Sequence, residues 1–192
     1  MINNNRETWL YKAVELLKPL FEENGATIPA NIRIGVGFPS VRALSASNRR
    51  IGECWANECS TDQANEIIIS LLLADAVEVL GVVIHEIVHA VVGTKEGHKG
   101  AFAKLAKCLG LTGKMTATTI GAELRPRLEG IIAEIGPYPH AALNPQAGDR
   151  KKQSTRMLKA VCDECGYTVR LTQKWVDVGL PTCPCGGGMG LN

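Results

Sequence analysis

Residues 6–23 place Trp9, Leu10, Ala13, Val14, Leu16, Leu17, Leu20 and Phe21 on one broad apolar face, the spacing of an amphipathic helix. Pro19 is expected to kink or shorten its last turn, and Asn24-Gly25 to end it. The period then changes. Ile32, Ile34, Val36 and Phe38 alternate with Arg33, Gly35 and Gly37, which predicts a strand. Residues 41–48 are small and polar and read as a turn region; residues 50–56 read as a second strand. Residues 65–70, with Ile67, Ile68 and Ile69, read as a third. A long apolar run over residues 74–92 predicts a helix that Asp75 helps to start. A further helix is expected from about His98 through Phe102, Leu105, Ala106 and Leu109 to Gly110. Residues 111–119 look polar and turn-like. Residues 122–135 carry Leu124, Leu128, Ile131, Ile132 and Ile135, which predicts a helix despite Pro126, and Gly136-Pro137-Tyr138-Pro139-His140 breaks it. Residues 140–157 read as a linker, after which Tyr167, Val169 and Leu171 alternate with Thr168, Arg170 and Thr172 as a strand. No repeat is visible. The pattern is that of an α+β chain: a main domain over residues 1–140, a basic linker over 141–157 and a small module over 158–192.

The run over residues 74–92 contains His85-Glu86-Ile87-Val88-His89, an H-E-x-x-H motif. On a helix, positions i and i+4 share a face, so His85 and His89 can present imidazole nitrogens to one metal ion. Glu86 is placed to reach a water at that metal. Two histidines holding Zn²⁺ and a glutamate accepting a proton from water is the arrangement of a zinc-dependent hydrolase. The surrounding residues Val77, Val79, Leu80, Val82, Val83, Ile84, Ile87, Val88, Val91 and Val92 are apolar. A buried helix does not carry three titratable groups without compensation, because unpaired burial costs roughly 2–7 kcal/mol per polar group. Asp75, Glu78, His85 and Glu86 also make this run a poor membrane span.

A catalytic zinc takes a third protein ligand and leaves one position open. His98 follows His89 by nine residues. Gly93 suits a helix C-terminus because it tolerates positive φ, and a turn there brings His98 back toward the motif. Glu96 is the competing third ligand. His140 is a further histidine, read as a surface residue in a proline-rich break.

Near the other end stand Cys162-Asp163-Glu164-Cys165, followed by Gly166, and Cys183-Pro184-Cys185, followed by Gly186; 17 residues separate the two pairs. Four thiolates in this pattern suit a closed, structural zinc site on a short ribbon. The competing reading is a disulfide-linked tail. The count of 7 cysteines is odd, and the start Met1-Ile2-Asn3-Asn4-Asn5-Arg6 is polar and runs into a helix rather than a secretory signal. A cytoplasmic protein with reduced thiols is therefore expected. Cys54, Cys59 and Cys108 read as small buried or half-buried residues; Cys54 and Cys59 are near enough in sequence to pair.

His85-Glu86-Ile87-Val88-His89-Ala90, with Gly97-His98-Lys99-Gly100-Ala101-Phe102 after it, resembles the SprT-like family of zinc metallopeptidases, which includes Spartan. Members carry H-E-x-x-H-A and then G-H-x-x-x-F on the following helix. The resemblance implies a zincin-like domain, with His85, His89 and His98 as ligands of a catalytic zinc and Glu86 as general base. It extends to the tail, where such proteins often carry a zinc ribbon; Cys162, Cys165, Cys183 and Cys185 would hold a structural zinc. It implies an extended protein substrate paired with a sheet edge near the cleft, and proteolysis of proteins on or crosslinked to DNA. No oxyanion donor is assigned; Tyr138 is a conceivable one.

Net charge is +2 and the hydrophobic fraction 45%, which allows a proper core. The charge is uneven. Residues 150–192 carry 7 Lys and Arg against 3 Asp and Glu. Arg150, Lys151, Lys152, Arg156 and Lys159 lead into Arg170, Lys174 and Trp175, a cation cluster with a stacking aromatic that suits DNA. The other reading is a solvated linker whose tryptophan covers a small ribbon core. The expected function is a zinc metallopeptidase acting on DNA-associated proteins. The alternatives are a metallopeptidase without nucleic acid and a non-enzymatic zinc protein that binds DNA or a protein partner through the ribbon.

Overall fold

The computed structural model describes residues 5–147 and 156–192. Arg150, Lys151 and Lys152 lie outside the described residues. The chain forms two compact units, residues 1–145 and 146–192. No described helix is long and apolar enough to cross a membrane.

The first unit begins with α1 (Arg6–Glu23), capped by Asn5, whose side chain accepts from the Thr8 amide at 2.7 Å. Its apolar face, from Trp9 to Phe21, is buried. Of the two effects expected of Pro19, shortening does not occur: the helix contains it and runs on to Glu23. An interior proline costs roughly 3 kcal/mol. Leu20 and Phe21 lie beyond it in the core, and each buried side chain of this size contributes about 1.5–3 kcal/mol, which offsets the defect.

Three strands follow: β1 (Ile32–Gly37), β2 (Gly52–Trp55) and β3 (Asn65–Ser70). They form a mixed sheet in the order β1-β3-β2, with β1 parallel and β2 antiparallel to the central β3. Ile34, Ile67 and Ile69 are buried on one face. The register Gly52↔Ile69 and Cys54↔Ile67 puts Gly52 and Cys54 on that same face, because side chains alternate across a strand.

Against it packs α2 (Ala76–Val92). Asp75 caps it, accepting from the Glu78 amide at 2.8 Å, and Gly93 ends it at φ +91°. Val79 to Ile84 and Glu86 to His89 are all buried, so α2 is the central element of the core. A 3-10 turn (Thr94–Glu96) leads to α3 (Gly100–Cys108). Residues 111–119 are not a bare turn, as the sequence suggested. They build a hairpin of β4 (Leu111–Lys114) and β5 (Ala117–Ile120). The β-branched residues Thr112, Thr118, Thr119 and Ile120 suit strands, and the polarity of the threonines masked the alternation. α4 (Leu124–Ile135) tolerates Pro126 because it falls in the first turn, where the helix needs no N–H from it.

In the second unit β6 (Met157–Cys162) is flanked by β7 (Thr168–Thr172) and β8 (Met189–Leu191), both antiparallel to it, with a short helix α5 (Gln173–Val178) after β7. All seven cysteines are free thiols; Cys59 and Cys108 are exposed rather than buried, and Cys54 is half-buried.

Candidate metal centre

His85 and His89 lie one turn apart on α2, and the chain reversal at Gly93 and Gly97 returns His98 to them. Nε2 of His98 is 3.1 Å from Nε2 of His85 and 3.2 Å from Nε2 of His89. His98 precedes the first residue of α3 by two positions, with Lys99 as the cap between. Phe102, in the first turn of α3 and fully buried, packs against all three rings at centroid distances of 4.9, 4.3 and 4.9 Å. The spacing between His98 and Phe102 is thus a packing device: one aromatic ring supports the whole cluster. Glu96 is exposed in the 3-10 turn and does not join the group.

The donor set fits a cation. Burial drives the His85 and His89 rings well below the ordinary histidine value, to about 3 and about 4, and lowers His98 as well; the neighbouring imidazoles add to this for His85 and His89. All three rings are therefore neutral near pH 7, and a neutral imidazole has one N–H and one lone pair. Three Nε2 atoms converge on one place, and no arrangement of single protons gives every pair of them a hydrogen bond. The Nδ1 of His85 lies 2.9 Å from Thr118 Oγ1 on β5. The Nδ1 of His89 is buried without a partner among the described residues.

Glu86 sits beside this cluster, 6% exposed. Burial pushes its carboxyl up to about 8; Arg50 opposes the shift and Glu53 adds to it. Its side chain runs over Gly52 of β2, where there is no Cβ to obstruct it. Glu53, next along β2, points to the other face and is also buried. It accepts from the Ser40 amide at 2.8 Å, from Ser40 Oγ at 2.6 Å and from the Arg50 guanidinium. Arg50 is thereby tethered near the site, where its charge acts on Glu86, His89 and His98. Cys54, on the Gly52 side of the strand, is a thiol pushed up to about 12 by burial and by the charge of Glu86. The strand beside the cluster is β2, an edge of its sheet.

Two other residues weighed from the sequence lie elsewhere. Tyr138 packs on Trp9 of α1 at 5.0 Å, and Trp9 Nε1 donates to the Gly136 carbonyl at 2.8 Å. Its hydroxyl is buried without a partner among the described residues, and its other ring contact is with His140 at 5.8 Å, not with His85, His89 or His98. His140 is paired at 2.9 Å with the Leu71 carbonyl.

In the second unit Cys162, Cys165, Cys183 and Cys185 come together, with Sγ separations of 3.6 Å (Cys162–Cys185), 3.4 Å (Cys165–Cys183) and 3.3 Å (Cys183–Cys185). Each pair is turned by a glycine in positive φ, Gly166 at +73° and Gly186 at +88°. Gly187 makes a second fit: a Cβ there would lie 2.9 Å from Cys162 Sγ. The Gly187 amide and the three neighbouring thiols pull the Cys185 thiol down to about 7. The four sulfurs and the three histidines are the two groups among the described residues that could hold a metal ion. Of the cations expected to face nucleic acid, Arg156, Arg170 and Lys174 are exposed and Lys159 is half-buried. Trp175 is 55% exposed, with Lys174 Nζ 5.1 Å from its ring centroid, so it does not cover a core.

The sequence did not single out Gly52, Arg50 or Thr118. A glycine inside a strand pattern is itself a signal of close approach, so Gly52 was findable; the other two depend on which loops meet α2. No family model, curated protein or solved structure matches this chain.

Proposed function

We propose that the chain is a zinc-dependent metallopeptidase of the SprT-like kind, with a zincin-like catalytic domain followed in sequence by a zinc ribbon, acting on proteins bound or crosslinked to DNA. The observation that carries this reading is the convergence of three neutral imidazole Nε2 atoms beside one buried carboxylate, next to an open strand edge. His85, His89 and His98 would hold Zn²⁺; three nitrogen ligands suit that ion and leave it an open position. Bound there, Zn²⁺ supplies Lewis acidity to a carbonyl and lowers the pKa of a water.

The rest is chemistry of the chain. Glu86 takes a proton from the attacking water and returns it to the leaving amine. A nearby dication favours its carboxylate over the protonated form that burial otherwise favours. Backbone groups on the free edge of β2 can pair with an extended peptide and hold its scissile bond near Glu86. Four cysteine ligands make the second site closed and structural, and exposed Trp175 with Lys174, Arg170 and Arg156 offers stacking and charge to single-stranded DNA.

The test is cleavage of a DNA-binding protein by zinc-loaded full-length chain, with and without single-stranded DNA. Glu86→Gln should keep both metals and lose roughly 10²–10⁴-fold in turnover, the usual worth of a general base. Full activity in a clean Glu86→Gln preparation would refute the assignment.

A further inference from the structure

Four residues of helix advance about 6 Å, and two residues of strand about 6.6 Å. On α2, Gly81 and His85 are four apart and share a face; on β5, Thr118 and Ile120 are two apart and share a face. The two pairs meet in register. A Cβ on Gly81 would lie 2.9 Å from both Cγ1 and Cδ1 of Ile120, so the hairpin rests directly on the helix backbone at Gly81. One step along, Thr118 Oγ1 comes to 2.9 Å from His85 Nδ1. Thr118 is itself held by β4, where it pairs with Gly113.

We infer that Thr118 is a positioning residue for the metal centre, which accepts the His85 Nδ1 proton and so directs the His85 Nε2 lone pair into the histidine cluster. This rests on the reading of that cluster as a metal site. The reverse polarity, with the hydroxyl donating to Nδ1, would put the proton on Nε2 and aim an N–H at the place a cation would occupy. A threonine hydroxyl has acceptor lone pairs for the first arrangement, and the partner of the second ring nitrogen is what sets the tautomer of a ligating histidine. His89 has no such partner on its buried Nδ1 among the described residues. Its ring is oriented by packing on Phe102 at 4.3 Å. Of the two histidines on α2, it is therefore His85 whose Nδ1 is hydrogen-bonded among the described residues, by a hydroxyl from a hairpin outside the motif.

The test uses Co²⁺ titration of the full-length chain, because thiolate-bound Co²⁺ has an intense near-ultraviolet charge-transfer band that a histidine site lacks. Thr118→Val, similar in shape, should weaken the histidine-site Co²⁺ by roughly 10–100-fold, the usual cost of losing such an outer partner, and leave the thiolate band unchanged. Thr118→Ser should restore the affinity. In metal-free protein, ¹⁵N shifts of the His85 ring should report the Nδ1–H tautomer in the wild type and loss of that preference in Thr118→Val. Unchanged Co²⁺ affinity, or an unchanged tautomer, in Thr118→Val overturns the inference while leaving the metal site standing. A wild type that takes up only thiolate-bound Co²⁺ sinks the metal-centre reading and this inference with it.

Discussion

Gly52 and Glu86 occupy the same space in turn: the carboxylate of Glu86 lies where a side chain on Gly52 would be. A Cβ at position 52 would fall 2.9 Å from Glu86 Cγ and 2.5 Å from Val82 Cγ1, and closer still to Glu86 Oε1. The edge strand thus approaches α2 more tightly than any other residue type permits, and this approach fixes the acid against the open strand.

Gly52→Ala must therefore move Glu86, the helix or the strand. Overpacking of this kind costs about 1–3 kcal/mol. The three atoms nearest such a Cβ belong to Glu86 and Val82 and not to a histidine, so metal stoichiometry should hold while turnover falls at least as far as an Ångström-scale misplacement implies, on the order of 10²-fold. Metal content and cleavage rate measured on one preparation would check this; unchanged turnover would show that Glu86 needs no such seat.

His98 and Glu96 competed for the third ligand position, and only His98 lies with the other two imidazoles. His98→Ala should remove one of the two bound metals per chain, and Glu96→Ala should remove none. Metal content by atomic emission, after dialysis against a weak chelator, separates the two outcomes.

Glu53 gives a pH dependence with a definite sign. Burial raises its carboxyl, but the Ser40 hydroxyl and amide and the Arg50 guanidinium outweigh that and hold it below the ordinary 4.5. The unfolded chain then binds more protons than the folded one just below that pH, so the contribution is present above 4.5 and disappears as pH falls through the lower, folded value. Glu53→Gln should cost about 1–3 kcal/mol at pH 7, in the range of charge-assisted hydrogen bonds. Denaturant midpoints should show the gap between the two proteins closing as pH falls below 4.5. A gap independent of pH would mean that the carboxylate charge is not what the loop holds.

On the ribbon, Trp175→Ala should weaken single-stranded DNA binding by about 1–3 kcal/mol if a base stacks on the exposed ring. Lys174→Ala should instead reduce the salt slope of binding by about 1. Titration of a fluorescent oligonucleotide at several salt concentrations reads both. Equal affinity and slope in both variants would place any DNA contact elsewhere.

The sequence by itself determined what is local. The i, i+4 placement of His85 and His89 follows from helix geometry once the apolar run commits residues 76–92 to a helix, with Asp75 and Gly93 at its ends. The knuckle glycines Gly166 and Gly186 follow from the need for positive φ directly after a cysteine pair. Strand β3 was legible because its isoleucines leave no other period. Tertiary structure decided what depends on distant segments meeting. Pro19 stays inside α1 because the core beyond it outweighs the lost bond. Polar residues 111–120 become a hairpin because Gly81 gives Ile120 a place to lie. Tyr138 goes to Trp9 and His140 and not to the three clustered histidines. Above all, the partners of the motif (Gly52 under Glu86, Thr118 on His85, Arg50 tethered by Glu53) come from strands and loops whose register no local pattern fixes. Pairing and packing between segments far apart in the chain set those positions, and they decide how the motif is held.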